Sequence, residues 1–266
     1  MADGNSAQTQ NRSSLVVQER ITLTNKHGEK LVGVLDDTGS RQLVVLCHGF
    51  RSSKESGTLV NLAAALVSEG ISAFRFDFSG NGESEGQFLY GGYWKEVEDL
   101  HTVILYFSGK ERQMNTIIGH SKGGNVVLLY ASKYHDISTV INISGRYALD
   151  KGIEDRMGKD FERRINKDGF IDVKNSSGNV EYRVTKEGLM DRLQTDMKSA
   201  ALSIPKNCRV LTIHGSEDET IPVTDAFEFD KLITNHVLHV MDGADHCYNF
   251  HQNELASVVL KFMKCG

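Results

Sequence analysis

Residues 119–124 read Gly-His-Ser-Lys-Gly-Gly and directly follow an apolar run at residues 116–118. A serine held between a strand and a helix needs a very tight turn, which requires glycine at the flanking positions, here Gly119 and Gly123. Such a turn lifts the hydroxyl of Ser121 above the edge of the sheet, where a base can reach it. The pattern therefore predicts a strand, a turn that bears a nucleophile, and a helix.

A serine nucleophile needs a base to accept its proton and a carboxylate to orient that base. Asp218 comes just after the strand predicted at residues 209–213, and His246 comes just after the strand predicted at residues 237–241. All three side chains then lie on loops that follow strands. We predict Ser121, Asp218 and His246 as a catalytic triad.

Other residues of the same types lie nearby. Glu217 and Asp225 are alternatives for the acid, and Asp218 is preferred for its distance past the strand end. His239 falls inside a predicted strand, and His251 lies further along the chain than the expected loop.

Two backbone N–H groups are candidates for an oxyanion site. Phe50 ends the segment His48-Gly49-Phe50 after a predicted strand, and Lys122 opens the predicted helix, where the helix dipole is positive. We expect His48 to form a structural hydrogen bond with the loop backbone. The Lys122 side chain could favour an anionic or phenolic substrate, but a side chain that points to solvent is the expected outcome.

Residues 77–84, Asp-Phe-Ser-Gly-Asn-Gly-Glu-Ser, resemble a phosphate-binding loop only superficially. No lysine follows at the spacing of a P-loop and no long helix begins there, so we expect a tight loop that braces the site. No group of His, Cys and carboxylate residues has the spacing of metal ligands. Neither a metal nor a cofactor is predicted.

The charge and hydropathy of the chain bear on its partners. The formal net charge of −5, with no basic cluster to offset it, argues against nucleic acid or an anionic membrane surface. No apolar run approaches the roughly 18 residues that a membrane span needs. We expect a small-molecule ester as substrate, and either a monomer or a homodimer.

The cysteines and the N-terminus suggest a compartment. Cys47, Cys208, Cys247 and Cys265 show no C-x-x-C pairing, which is typical of free thiols in a reducing environment. The first residues are polar and lack the basic and apolar segments of a signal peptide. These features predict a cytoplasmic location.

Apolar runs alternate with helical patterns along most of the chain, which predicts an α/β fold with a mostly parallel sheet of about eight strands flanked by helices. Strands are predicted at residues 21–25, 30–36, 43–47, 72–78, 116–119, 139–143, 209–213 and 237–241. Helices are predicted at residues 58–69, 93–107, 125–133, 224–232 and 254–263.

The rhythm breaks at residues 146–205, which are highly charged and lack long apolar strands. We predict a cap insertion here, with a hairpin at residues 169–185 and a helix at residues 186–197; the alternative is a solvated excursion that contacts no ligand. The predicted division is a disordered tail at residues 1–18, a core at residues 19–145 and 206–266, and the cap between them. The apolar residues that favour a cap are Tyr147, Phe161, Phe170, Tyr182 and Leu189.

Taken together, these motifs resemble the α/β-hydrolase superfamily over residues 20 to 265. More narrowly, the chain is similar to cinnamoyl (feruloyl) esterases and their plant relatives, which are grouped with serine aminopeptidase-like hydrolases. The similarity lies in His48-Gly49-Phe50, in the 77–84 loop and in the insertion before the acid-bearing strand. The resemblance implies an α/β-hydrolase fold, a nucleophile, base and acid, and two backbone donors: Ser121, His246, Asp218, Phe50 and Lys122. Lys122 departs from the pattern, because Gln or Met is common there.

The triad and the resemblance lead to one function and two alternatives. We expect a serine hydrolase that cleaves carboxylic esters of small aromatic or medium acyl groups through an acyl-enzyme. The same fold could instead perform acyl transfer or another non-hydrolytic step in specialised metabolism. It could also serve as a non-catalytic receptor for a small molecule.

Overall fold

The computed structural model describes residues 16–265, which form ten strands and nine helices. The strands are β1 (Val17–Thr24), β2 (Lys30–Asp37), β3 (Gln42–Cys47), β4 (Ser72–Phe76), β5 (Gln113–His120), β6 (Thr139–Ile143), β7 (Phe170–Lys174), β8 (Val180–Thr185), β9 (Arg209–Gly215) and β10 (His236–Met241). The helices are α1 (Gly57–Ser68), α2 (Tyr93–Ser108), α3 (Lys122–Tyr134), α4 (Ile153–Met157), α5 (Phe161–Asp168), α6 (Lys186–Gln194), α7 (Met197–Ser203), α8 (Thr224–Leu232) and α9 (Gln252–Lys264).

Eight strands form one sheet in the order β1-β2-β4-β3-β5-β6-β9-β10. The strands from β4 to β10 in this order are all parallel, whereas β2 runs antiparallel to both β1 and β4. The prediction of an α/β fold with a mostly parallel, eight-stranded sheet is therefore confirmed. Because the strands are parallel, the loops that follow β3, β5, β9 and β10 meet at one edge.

The sheet is buried on both faces, because the inner strands carry apolar residues in continuous runs rather than in alternation. All five residues of β4 and of β6 are buried. On one face the apolar core includes residues of α2, α3 and α7, and on the other face it includes residues of α1 and α9. This double cover holds the carboxyl edge of the sheet in a fixed frame.

The chain between β6 and β9, which we predict to be a cap, contributes most of a separate apolar cluster. The predicted hairpin is confirmed as β7 and β8. The cluster buries three of the residues predicted for it, Phe161, Tyr182 and Leu189, and Phe50 of the β3–α1 loop packs against it. Phe170, in contrast, is exposed beneath the guanidinium of Arg183.

The helix predicted at residues 186–197 is wrong in its extent. Thr195 adopts an extended backbone and ends α6, and the side chain of Asp196 accepts a hydrogen bond from the N–H of Ser199 at the start of α7. Competition from this N-cap breaks the helical pattern, because a capping aspartate needs a non-helical backbone. Tyr147 also differs from expectation: it packs against Phe229 of α8 rather than in the cap cluster.

The first strand begins earlier than predicted. β1 starts at Val17, which pairs with Asp37, so two residues of the predicted tail belong to the sheet. The side chains of these two residues are exposed, but backbone pairing with β2 holds them in the sheet. Residues 1–15 of the predicted tail lie outside the described residues.

The turn between β5 and α3 brings backbone against backbone, as the flanking glycines predict. A Cβ on Gly119 would lie 2.0 Å from the carbonyl oxygen of Gly123, and one on Gly123 would lie 2.3 Å from that of Cys47. Ser121 itself has a φ of 57°, a left-handed conformation that is rare outside glycine. Strain at this residue is offset by the packing around it.

We expect Gly123→Ala to lower the free energy of unfolding by about 3 kcal/mol, because the methyl group would overlap the backbone of β3. Urea denaturation followed by circular dichroism measures this change. Gly57→Ala is the matched control, since a Cβ there meets no atom within 4 Å, and its stability should be unchanged or up to about 1 kcal/mol higher. Equal stability of both variants would contradict the close contact.

Candidate active site

A chain of two hydrogen bonds joins the three residues predicted as a triad. The Nδ1 atom of His246 lies 2.7 Å from Oδ2 of Asp218, and its Nε2 atom lies 3.0 Å from Oγ of Ser121. A carboxylate can only accept, so Nδ1 carries the proton of the neutral imidazole and Nε2 accepts from the serine hydroxyl. The arrangement can remove the serine proton when the hydroxyl attacks.

The Asp218 side chain is fully buried and surrounded by donors. Its Oδ1 accepts hydrogen bonds from the N–H groups of Thr220 at 2.9 Å and Ile221 at 2.8 Å, and Nε2 of His214 lies 3.3 Å from Oδ2. Burial alone would raise the pKa of Asp218, but the hydrogen bonds from His214 and His246 lower it well below its usual range. The carboxylate therefore stays ionised at neutral pH.

The alternative acids lie elsewhere. Glu217 is exposed to solvent. Asp225 is buried, but its carboxylate accepts the backbone N–H groups of Tyr147 at 2.8 Å and Ala148 at 3.3 Å and thereby fixes the start of the cap. Neither makes a hydrogen bond to His246 in the part of the chain that the structure describes.

The loop after β3 passes directly beside Ser121. A Cβ on Gly49 would lie 3.0 Å from Cβ of Ser121 and 3.5 Å from its Oγ, so a larger residue would push the two segments slightly apart. Phe50, whose backbone N–H is a predicted donor, is the next residue after Gly49. Lys122 is the first residue of α3, and a first-turn N–H has no partner within its helix. Both backbone groups predicted as donors thus belong to segments next to the serine.

His48 has the structural role expected of it. Its Nδ1–H donates to the carbonyl oxygen of Gly49 at 2.8 Å, and its Nε2 accepts from the N–H of Phe78 at 3.1 Å. Burial lowers the pKa of His48 to about 4, which keeps the ring neutral. The imidazole therefore ties the β3 loop to the loop that follows β4.

The glycine-containing loop at residues 77–84 is braced by the buried carboxylate of Asp77. That group accepts the backbone N–H of Lys54 at 2.6 Å, its ammonium at 2.8 Å and the N–H of Glu83 at 2.9 Å. A Cβ on Gly82 would lie 2.3 Å from the same carboxylate. Glycine is therefore required at position 82, because its backbone lies directly against the Asp77 carboxylate.

The expectation that the Lys122 side chain points to solvent is wrong. Its ammonium is buried, lies 2.6 Å from Oε1 of Glu96 and stands 5.0 Å from the ring centre of Tyr93. Burial raises the pKa of Glu96, and the attraction of Lys122 opposes this rise. The pair lies beneath the serine turn, so its charges are balanced within the protein.

His120, directly before Ser121, is a residue that the sequence analysis missed. Its Nε2–H donates to the carbonyl oxygen of His246 at 2.8 Å and holds the loop that carries His246. Burial lowers the pKa of His120 to about 4, so the ring is a neutral donor. Its position inside the glycine motif was the available signal.

Ser121 lines two cavities. The first, which we call the cap cavity, lies under the cap and is also lined by three arginines, Arg146, Arg156 and Arg192. The second, the outer cavity, is also lined by His246 and is neutral apart from Arg51 and the histidines. No motif marks the three arginines in the sequence, because the cap folds them together from separate positions.

Metal ligands, membrane-spanning helices and cysteines were each considered in the sequence, and the described residues bear on all three. Among residues 16–265, no group of three or more His, Cys, Asp or Glu side chains could hold a metal ion. The described helices include none that is long and apolar enough to cross a bilayer. All four cysteines are free thiols, with Cys47 and Cys208 buried.

We expect Lys122→Met to lower the free energy of unfolding by about 3–5 kcal/mol, because it leaves the Glu96 carboxyl buried without its partner. The double variant Lys122→Met, Glu96→Gln should recover most of this loss. Lys231→Met, which breaks an exposed pair with Glu228, is the control and should cost at most about 1 kcal/mol. Chemical denaturation measures all three; a loss at Lys122 no larger than the control would contradict the buried pair.

Comparisons with known proteins agree with this architecture. A family model described as serine aminopeptidase, S33, matches residues 38–168. An uncharacterized protein of Saccharomyces cerevisiae is 26% identical over 231 residues, which are 78% of this chain and 69% of the relative. A monoacylglycerol lipase of Mycolicibacterium smegmatis is 29% identical over 111 residues, 41% of this chain and 39% of the lipase.

Solved structures share the fold over nearly the whole chain. Est1E from Butyrivibrio proteoclasticus, solved with bound ferulic acid, has a TM-score of 0.80 at 24% identity and covers 91% of this chain and 97% of its own. An esterase of Pyrococcus furiosus has a TM-score of 0.72 at 22% identity, with 99% and 96% covered. From its sheet, its serine turn and these likenesses, the chain has the α/β-hydrolase fold.

Proposed function

We propose that the protein is a serine hydrolase that cleaves carboxylic esters, with Ser121 as nucleophile, His246 as general base and Asp218 as the orienting acid. The observation that supports it most is the hydrogen-bonded chain from the buried Asp218 through His246 to Ser121, with heavy-atom distances of 2.7 and 3.0 Å. Distances of this size are within the range for proton transfer between a nucleophile and its base.

In this proposal Ser121 attacks the ester carbonyl while Nε2 of His246 takes its proton. The negative charge that develops on the carbonyl oxygen is stabilised by the N–H groups of Phe50 and Lys122. His246 then gives the proton to the departing alcohol, and an acyl-enzyme remains. Water attacks this acyl group in a second step, with His246 again acting as the base.

The surroundings of Asp218 suit this role. A carboxylate that remains ionised beside the imidazole holds Nδ1–H in place and stabilises the imidazolium that forms during attack. The hydrogen bond from His120 to the backbone of His246 supports the same orientation from the other side. Neither step of the reaction requires a cofactor.

The comparisons support an ester as substrate. The lipase relative and the esterase structures are named for ester hydrolysis, and Est1E was solved with a phenolic acid. Phe50 lies at the mouth of both cavities and packs edge-on against Phe88, Tyr90 and Tyr182. We propose esters of small aromatic or medium-length acids, with the acid held under the cap.

A fluorophosphonate probe should label the wild-type protein on Ser121, because the hydroxyl is activated by His246. The Ser121→Ala variant should remain folded and unlabelled. Intact-mass and peptide mass spectrometry give the extent and position of the label. A folded wild-type protein that resists the probe would rule out the proposed nucleophile.

We expect Asp218→Asn to lower kcat on p-nitrophenyl butyrate by roughly 10⁴-fold, because the amide favours the wrong imidazole tautomer. Glu217→Gln is the matched control: it changes an exposed acid one residue away and should leave kcat within about twofold. Steady-state kinetics measure both. Similar kcat values for the two variants would assign the acid to another residue.

A further inference from the structure

The cap cavity concentrates positive charge next to the nucleophile of an otherwise acidic protein. Five cationic side chains line it and no acidic side chain does. Lys122 is neutralised by Glu96, and Lys151 is exposed beside Asp150. The three arginines that remain, Arg146, Arg156 and Arg192, come from the start of the cap, from α4 and from α6.

No carboxylate lies within ion-pair distance of these three arginines in the part of the chain that the structure describes. Burial lowers the pKa of Arg146; Asp225 opposes this, and the like charges of Arg192 and Arg156 lower the pKa further. Arg146 and Arg192 are half-buried and Arg156 is exposed. Like charges that lie close together without a counter-charge are unfavourable, most of all where they are partly buried. An anion in the cavity would relieve that repulsion.

The arginines also have hydrogen-bond donors to spare. Each guanidinium carries five N–H donors. Arg146 uses one on the carbonyl oxygen of Thr220, and Arg192 uses two, on the carbonyl oxygen of Leu149 at 2.8 Å and the hydroxyl of Tyr93 at 3.0 Å. These bonds orient the two side chains, and the other donors remain for a ligand. Arg156 stacks 5.0 Å from the ring centre of Phe50.

Two acidic residues close to the arginines accept hydrogen bonds from backbone groups. Asp225, which acts on the pKa of Arg146, accepts the N–H groups of Tyr147 and Ala148. Asp191, which directly precedes Arg192, accepts the N–H of Tyr93 at 3.3 Å. Neither carboxylate lines the cap cavity.

The position of His246 decides which half of an ester enters the cap cavity. The departing alcohol must lie next to His246, because His246 gives it a proton. His246 lines the outer cavity and does not line the cap cavity, whereas Ser121 lines both. The alcohol half therefore occupies the outer cavity, and the acyl half extends under the cap towards the arginines.

The geometry points to an ester whose acyl group carries a second, anionic group, either a carboxylate or a phosphate, held by Arg146, Arg156 and Arg192 in the cap cavity. This inference rests on the proposed function and specifies its substrate class. For a half-ester of a dicarboxylic acid, water adds to the acyl carbon, the ester C–O bond breaks, and the products are the dicarboxylate and the alcohol. Planar guanidinium groups bind either oxyanion through paired hydrogen bonds.

Pairs of esters that differ only in the charge of the acyl group test whether the protein prefers an anionic substrate. The cap cavity has a volume of about 40 Å³, so short acyl chains are used. Monobenzyl malonate and succinate are compared with their neutral carboxamide counterparts, and benzyl phosphonooxyacetate is compared with its neutral dimethyl phosphotriester. Released benzyl alcohol is measured by chromatography. We expect kcat/KM to be at least tenfold higher for one of the anionic esters than for its neutral counterpart, because a hydrogen bond to a charged group adds that much binding. The larger preference identifies carboxylate or phosphate.

Single substitutions test whether the arginines of the cap cavity cause the preference for anionic esters. Arg156→Gln should reduce the ratio of kcat/KM for the anionic ester to that for its neutral counterpart to threefold or less, and Arg146→Gln should do the same. Arg156→Lys should restore part of the preference. Arg163→Gln is the control, since this cap arginine is exposed and pairs with Asp160 outside the cavity; its preference should remain that of the wild type.

Binding to the Ser121→Ala variant separates this inference from the proposed function. Calorimetry should show tighter binding of the anionic ester than of the neutral one, without any catalysis. If that holds while wild-type protein cleaves no ester, the reaction is wrong and the anion site stands. If wild-type protein cleaves neutral esters but neither rate nor binding favours the anion, or both glutamine variants keep the preference, the anion site is wrong.

Discussion

The close contact of three backbone segments beneath Ser121 is the constraint on which the site depends. Gly119 meets Gly123, and Gly123 meets Cys47 at the end of β3, with no side chain between them. This contact fixes the start of α3 against the loop that carries Phe50. Ser121 and the two candidate N–H donors are thereby positioned by a strand end and a helix start, and the strain of the left-handed backbone at Ser121 is offset by packing on either side.

Some charged side chains around Ser121 have hydrogen-bond donors or an opposite charge beside them inside the protein, and others do not. Asp218 is surrounded by donors and Lys122 is matched by Glu96, so both are balanced inside the protein. The arginines of the cap cavity have no such partner among the described residues. Buried charge is costly unless it is paired. Asp218 and Lys122 thus have their partners inside the protein. Arg146 and Arg192 are half-buried and Arg156 is exposed, and in our proposal a ligand supplies their counter-charge.

Much of the core could be predicted from local patterns. Apolar runs mark strands that are buried on both faces, and the glycines mark a turn that admits no other residue, so the sheet and the serine turn followed from residues near each other in the chain. The short helices of the cap insertion were harder to predict, because N-capping side chains decide where each of them begins and ends. Asp196 ends one helical pattern by starting another, and the apolar period across residues 186–197 does not show this. The pairing of Val17 with β2 likewise depends on a partner strand.

By itself, the sequence determined the order of strands and helices, the serine turn and the types of residue that follow each strand. The tertiary structure decided which of those residues meet. It placed His246 against both Asp218 and Ser121, turned Lys122 inward to Glu96, and gathered Arg146, Arg156 and Arg192 from separate elements of the cap. The physical reason is that periodicity and backbone sterics act over a few residues. Charge pairing and cavity lining, in contrast, depend on distances in space that only the packed chain defines.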